Sequence, residues 1–399
     1  MSHLKTLVID NGSDRIKWGY AGKPDTYRSH GNYVAKVKGD RKNYVGDVET
    51  ARSQAGVWFR RPHDRGYPIN WDAQKEIWDY ALGEFDAREF QLLLTEPIFN
   101  PNSVRKVQAE IIFEDYAFDA LYTASAPFFS AFQGKKAGIT ENFAKSPCHL
   151  VVDCGFSFTH VVPFFDLQKI NYGIKRIDVG GRFLTNAMKE AISFRQLNLL
   201  EETYLTNLIK EKCCYVPIDF YKELQVCKKK GPLNTVAVDY VLPDYVNHNV
   251  GYILEDKASL SAEERAKMQI LRLNNERISI PEILFNPKNE GINQAGIAET
   301  IIQSVESCHP DMHAALYNNI LLTGGSACFR GFRDRVELEL RSVVSSRYQV
   351  NVSIPEDPVR YAWDGASNFP EAVDWSKCVV TRKDYEETGS LYCLRKLYN

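Results

Sequence analysis

The chain has 399 residues, of which 44% are hydrophobic, 12% aromatic and 25% charged. That is enough apolar material for one or two substantial cores, and it excludes a disordered or fibrous protein. A formal net charge of −2 gives no chain-wide case for binding nucleic acid.

The charge is unevenly placed. Residues 1–65 hold 13 Lys and Arg against 7 Asp and Glu. Lys36, Lys38, Arg41, Lys42, Arg60, Arg61 and Arg65 supply most of the excess. The basic segment 36–65 is therefore either a solvated lobe or a surface for DNA phosphates. The nine cysteines include no Cys-x-x-Cys pair, and Cys213 and Cys214 are adjacent. This predicts thiols packed in cores in a reducing compartment, with no disulfides and no structural zinc. No charged-then-apolar leader is visible and no apolar run reaches roughly 18 residues, so neither secretion nor a membrane contact is expected.

In chain order, residues 7–9 form an apolar strand ending in Asp10-Asn11-Gly12-Ser13, and residues 16–22 form its return. A strand–turn–strand with Asp-x-Gly presents backbone N–H groups and one carboxylate at a single spot. A phosphate and its magnesium ion require that chemistry. Residues 31–70 are polar, basic and punctuated by glycine, as a small outer lobe would be. Asn70 is placed to cap a helix carrying Ile77, Trp78, Ala81 and Leu82 on one face. Residues 91–95 read as a buried strand stopped by Pro97. Ser103 reads as the cap of a helix with Val104, Val107, Ile111 and Ile112 at helical spacing. Residues 118–132 are apolar and helix-like, interrupted at Pro127, and residues 134–147 are polar enough for a hinge.

The second half opens on residues 150–163, two valine-rich runs around Asp153-Cys154-Gly155. This is the first hairpin over again, so the chain reads as two halves on one plan. Gly180-Gly181 leads into a long helical region to about Lys212. Lys228-Lys229-Lys230-Gly231-Pro232 reads as a solvated turn, and residues 235–242 as a strand. Ser261 and Glu264 have capping-box spacing for a short charged helix. Finally, an apolar strand at 319–323, Gly324-Gly325 and a helix-compatible stretch at 332–341 form a unit that brings backbone close to a nucleotide.

These three pieces, in this order, resemble the actin superfamily: phosphate hairpin, phosphate hairpin, adenosine loop. Asn43-Tyr44-Val45-Gly46-Asp47, Leu94-Thr95-Glu96-Pro97, Ile177-Asp178-Val179-Gly180-Gly181-Arg182 and Tyr361-Ala362-Trp363 extend the likeness over nearly the whole chain. The resemblance implies an α/β fold of the actin/Hsp70/hexokinase type, with two similar ribonuclease-H-like domains flanking a nucleotide cleft. Residues 1–133 plus 359–399 would form the first domain, with an outer lobe at about 31–70. Residues 147–358 would form the second, with an outer lobe at about 181–292 and an insertion at about 247–268. Hinges would lie at about 134–146 and 355–360.

The resemblance also implies a site. Asp10 and Asp153 would approach a magnesium ion, mostly through water. Lys17 and Ser13 would meet phosphates, with Gly12 and Gly155 in the two turns. Gly181, Lys210 and Glu211 would lie by the nucleoside, and Gly324 and Gly325 would be its glycine pair. ATP or ADP with magnesium is the cofactor so implied.

Three departures from actin matter more. Ala126 stands where actin has the glutamine that orients the attacking water, and losing such a group typically forfeits roughly 10²–10⁴-fold in rate. His160 remains beside the site but cannot replace that geometry. Asp14 stands where actin has glycine. At about 5 Å and an effective dielectric near ~20, an added like charge costs on the order of 3 kcal/mol unless it turns to solvent or pairs with Arg15. Phe156-Ser157 replace Asp-Gly, which removes a carboxylate from the metal's surroundings. Filaments are not expected either: residues 34–42 are short and charged where actin has an apolar plug, and Asn368 and Phe369 replace two aliphatics in the groove that would receive it.

A kept scaffold with altered chemistry resembles the actin-related proteins. Asp153-Cys154-Gly155-Phe156-Ser157-Phe158-Thr159-His160, Leu242-Pro243-Asp244-Tyr245-Val246-Asn247-His248 and Val380-Thr381-Arg382-Lys383-Asp384-Tyr385-Glu386-Glu387 point to those in chromatin remodellers of the Swr class. This implies a non-catalytic scaffold subunit, nuclear and also cytoplasmic, that serves variant-histone exchange. Its implied partners are the remodeller ATPase subunit and a zinc-finger HIT-type subunit, with nucleosomal DNA as a further contact through residues 36–65. The alternative is an ATPase or small-molecule kinase of the same fold.

Overall fold

In the computed structural model, which describes residues 5–46, 57–83, 85–255 and 268–398, the two Asp-x-Gly stretches are central hairpins of two six-stranded sheets. The first sheet has the order Val380–Thr381, Ala120–Ser125, Phe90–Glu96, Lys5–Asn11, Arg15–Tyr20, Arg28–Gly31. The second runs Gln168–Lys169, Thr159–Phe165, Cys148–Cys154, Ile320–Thr323, Val352–Ser353, with Lys175–Ile177 also on Thr159–Phe165.

Both sheets repeat one plan. Lys5–Asn11 pairs antiparallel with Arg15–Tyr20 and parallel with Phe90–Glu96. Cys148–Cys154 pairs antiparallel with Thr159–Phe165 and parallel with Ile320–Thr323. Even the register repeats: Asp10 lies opposite Lys17, and Asp153 opposite His160. These central strands are covered on both faces, which is why they read as unbroken apolar runs and not as alternation. Leu7, Val8, Ile9, Leu92, Leu93 and Leu94, like Leu150, Val151 and Val152, are all buried. The chain passes between the sheets twice, and its last strand, Val380–Thr381, pairs back onto Ala120–Ser125. The fold class expected from the resemblance is thus the one observed.

Several helices form where the pattern places them. Asn70 Oδ1 accepts from Ala73 N–H at 3.1 Å at the head of Trp71–Leu82, whose Ile77, Trp78, Ala81 and Leu82 are buried. Phe332–Val343 follows the Gly-Gly loop.

Other expectations are corrected. Pro127 does not interrupt a helix; residues 120–125 are a strand, and Pro127 lies in the first turn of Ala126–Ala137. Proline is tolerated there because the first N–H groups have no intrahelical acceptor. Ser103 is inside its helix, which starts at Asn102 with Pro101 as an uncapped flank. Gly134 is a helix residue, not the start of a linker: a Cβ there would come within 2.6 Å of Phe143, so glycine permits close packing with Glu141–Lys145. The long region from Gly180 divides into Gly181–Arg195 and Thr203–Cys213. Residues 34–37 belong to a three-stranded sheet of Val34–Val37, Asn43–Tyr44 and Val57–Arg60, and only residues 38–42 are a turn. The Ser261/Glu264 capping box, and residues 256–267 of the expected insertion, lie outside the described residues. No described helix is long and apolar enough to cross a membrane.

Candidate functional site

The two hairpin turns, the Gly-Gly loop and the helix Thr203–Cys213 meet at a cavity of about 280 Å³ between the halves. Asp10, Gly12, Ser13, Lys17, Asp153, Gly155, Gly181, Lys210, Glu211, Gly324 and Gly325 all line it. The sequence-derived residues are therefore brought together.

At the first hairpin, Lys17 Nζ sits 2.6 Å from Asp10 Oδ2. Thr95, on the parallel neighbour, donates to Asp10 Oδ1 at 2.7 Å and accepts Asn11 N–H at 3.0 Å. Burial pulls the Lys17 pKa down, but the Asp10 charge and hydrogen bond outweigh it and the pKa is raised. Asp10 and Lys17 are thus a satisfied buried pair, not two open ligands. Asn32 Nδ2 donates to Asn11 Oδ1 at 3.1 Å and to Gly12 O at 2.9 Å, which fixes the turn from behind.

The second hairpin has no such pair. His160 lies opposite Asp153, but its buried Nε2 has no hydrogen-bond partner, and burial beside Arg176 holds its pKa down to about 4. Burial, then the neighbouring Asp10 charge, lifts the Asp153 carboxyl to about 6, against an ordinary 3.8. The folded chain binds this proton more tightly than the unfolded chain does. Folding stability should therefore rise as pH falls from about 6 toward 4 through this group. Asp153→Asn should abolish that part of the rise in denaturation curves between about pH 6 and 4; an unchanged pH profile in the variant would contradict it.

Asp14 finds its relief in a residue outside both hairpins. Arg15 instead donates to Ser29, through Nε at 3.1 Å. Arg61 Nη1 lies 3.2 Å from Asp14 Oδ1 and donates to Ser13 O at 3.2 Å. The same guanidinium stacks 4.6 Å above the Phe156 ring and 5.1 Å from that of Tyr33. Ser13 Oγ is 2.9 Å from Ser157 Oγ of the other hairpin. At the phosphate end, the protein's own groups thus contact one another.

The second half contributes Lys210, Glu211 and Gly324 to the same cavity. Lys210 Nζ donates to Gly181 O and Thr185 Oγ1, both at 2.9 Å, and to Asn207 Oδ1 at 2.8 Å, while burial lowers its pKa. Glu211 accepts from Asn207 Nδ2 at 2.7 Å, and burial raises its pKa. Gly324 has φ +89°, and a Cβ there would lie 2.5 Å from Cys154 O, so only glycine lets this loop cross the second hairpin. Ala126 turns a methyl group toward the cavity.

The residues keep the polar lining of the implied site but not its full set of oxygen donors. Asp10 is already engaged by Lys17 and Thr95, and a phenyl ring stands where the resemblance expects a carboxylate. Among the described residues, no group of three or more His, Cys, Asp and Glu side chains could hold a metal ion.

Two hairpins in one register, a Gly-Gly loop and a shared cleft between twin α/β halves define the actin class of two-lobed proteins. The Actin family model matches residues 1–398, and the chain belongs to the actin family. It is similar to the actin-related protein 6 of Oryza sativa subsp. indica, 36% identical over 98% of both chains. The actin-related protein 6 of Drosophila melanogaster is 36% identical over 96% of this chain and 97% of that one. The actin-like protein arp6 of Aspergillus fumigatus is 35% identical over 98% and 94%.

Sequence reasoning missed Thr95, which lines the cavity, and Arg61, which contacts both hairpin turns. Thr95 had a signal, because it closes the strand next to the first hairpin. Arg61 had none, since it stands in a basic run far from both turns.

Proposed function

We propose that this protein is a non-catalytic, actin-related scaffold subunit of a nuclear chromatin remodeller of the Swr class, which exchanges a variant histone into nucleosomes. The likeness to proteins named actin-related protein 6 supports the assignment. One observation supports the non-catalytic part: Ala126 brings only a methyl group to the cavity lining, and Phe156 stands in the second turn beneath Arg61 where a carboxylate would be expected. Its proposed partners are the remodeller ATPase and a zinc-finger HIT-type subunit. Contact with nucleosomal DNA would use Lys38, Arg41 and Lys42, which are exposed, because Arg60 is held by Glu76 at 2.6 Å and Arg61 by Asp14 at 3.2 Å.

A second reading, a nucleotide-binding ATPase or kinase, is favoured by the intact nucleoside end at Lys210, Glu211 and Gly324. Purification of the chain from its native source, with mass spectrometry of its companions and of any small molecule released on denaturation, separates the two. A remodeller ATPase and a zinc-finger subunit are the expected companions. Recovery of monomer alone, or of filament, would overturn the scaffold reading.

A further inference from the structure

We propose that Arg61 is a resident cation that holds the cleft shut, so that closure requires neither a divalent metal nor a phosphate ligand. The proposal uses the cleft described above but does not depend on the subunit assignment.

Arg61 follows Val57–Arg60, a strand of the three-stranded sheet in the first outer lobe, yet its guanidinium reaches both hairpins. It pairs with Asp14 and holds the Ser13 carbonyl on the first. It lies over the Phe156 ring on the second. Two facing phosphate hairpins leave a carboxylate-rich gap that needs a counter-charge. A guanidinium suits it, because it is planar, weakly hydrated and able to bond in its plane while it stacks on an aromatic face.

Three further contacts close the same gap. Ser13 meets Ser157 hydroxyl to hydroxyl. Asp64 Oδ1 is 3.8 Å from Arg182 Nη1 across the outer lobes. Tyr204, on the second half, sets its ring 5.9 Å from Phe59 and 6.3 Å from Tyr33 on the first. Tyr204, Asn207 and Glu211 share one face of their helix, so one element carries both the clasp and the nucleoside-side groups. Away from the cleft the halves also share a core, in which Ile98 and Ala131 pack with Val151, Val162, Phe164 and Leu321, so the contacts around Arg61 govern the mouth of the cleft and not the joint at its base.

Hydrogen exchange on the full chain, in EDTA and again in magnesium with ADP, tests this. In the natural chain, amides 11–15 and 155–158 should exchange equally slowly in both buffers. Arg61→Ala should speed both hairpins by about 5–30-fold in either buffer, the effect of losing one or two contacts of ordinary strength. Arg61→Lys, which keeps the charge without the planar fork, should reproduce most of that increase. Should Arg61→Ala not fold, Phe156→Ala removes the stacking face instead, with the same expectation. Tyr204→Ala should speed residues 33–37 and 57–60 and leave the hairpins slow. Protection of the natural hairpins only with magnesium and ADP, or hairpins as slow in Arg61→Ala as before, would overturn the proposal. ATP turnover by the natural chain would count against the scaffold reading and leave this one standing.

Discussion

Ala126→Gln should leave ATP turnover at background, even though it supplies the side chain that orients water in working relatives of the fold. The natural chain should release phosphate at least about 10²-fold more slowly than such relatives, within the roughly 10²–10⁴-fold that one proton-handling or water-positioning group contributes. The amide alone should not recover this, because catalysis of phosphoryl transfer is mostly positioning and charge placement. Three other features still stand in the way. Asp10 is closed by Lys17 and Thr95. Ser13 is turned to Ser157. The Arg61–Phe156 stack lies across the phosphate end. Combining Ala126→Gln with Phe156→Asp and Asp14→Gly should give the larger gain, because it also restores the carboxylate and removes the partner that holds Arg61. Single-turnover phosphate release from the full chain measures all three forms. A rise of about 10²-fold from Ala126→Gln alone would show that water positioning was the sole defect and that the filled phosphate end is incidental.

What was legible in the sequence was whatever depends on neighbours in sequence. Both hairpins show as buried strands closed by Asp-x-Gly, and their shared plan follows from repetition. The Asp10–Lys17 register needs only hairpin geometry. Asn70 and the stripe of Ile77, Trp78, Ala81 and Leu82 are local in the same way. Errors arose where a residue's local tendency was overridden from a distance. Gly134 reads as a loop residue, but its missing side chain makes room for Phe143. Pro127 reads as a breaker, but a strand ends just before it and proline sits comfortably at a helix start. Asp14 reads as turning to solvent or to Arg15, its neighbour in sequence. Asp14 is still in the turn, however, while Arg15 opens the return strand and reaches Ser29 on the next one. Arg61 could be read as a charge but not as a direction, because its direction is set by how the outer lobe folds over the cleft.

Phe369→Ala should cost about 3–5 kcal/mol of stability, the range for truncating a large aromatic in a core. The resemblance puts Phe369 where actin has an aliphatic in the groove that receives a neighbouring subunit. In the structure it is only 6% exposed. Its ring stacks on Tyr122 at 5.3 Å and meets Phe128, Phe129 and Phe132 at 5.4, 5.7 and 5.2 Å. Beside it, Asn368 Nδ2 donates to Gln133 Oε1 at 3.0 Å and ties Tyr361–Ala372 to Ala126–Ala137. The ring therefore occupies from within the space that an incoming apolar segment would need, and its removal leaves a void between two helices that cannot easily collapse. Phe369→Leu should cost less, because it refills most of the volume. Denaturant midpoints of the three forms give the comparison, and binding of an apolar dye should increase in Phe369→Ala alone. A loss below about 1 kcal/mol, the size of an ordinary point mutation, would mean that the ring is a surface residue and that the groove remains available to a partner.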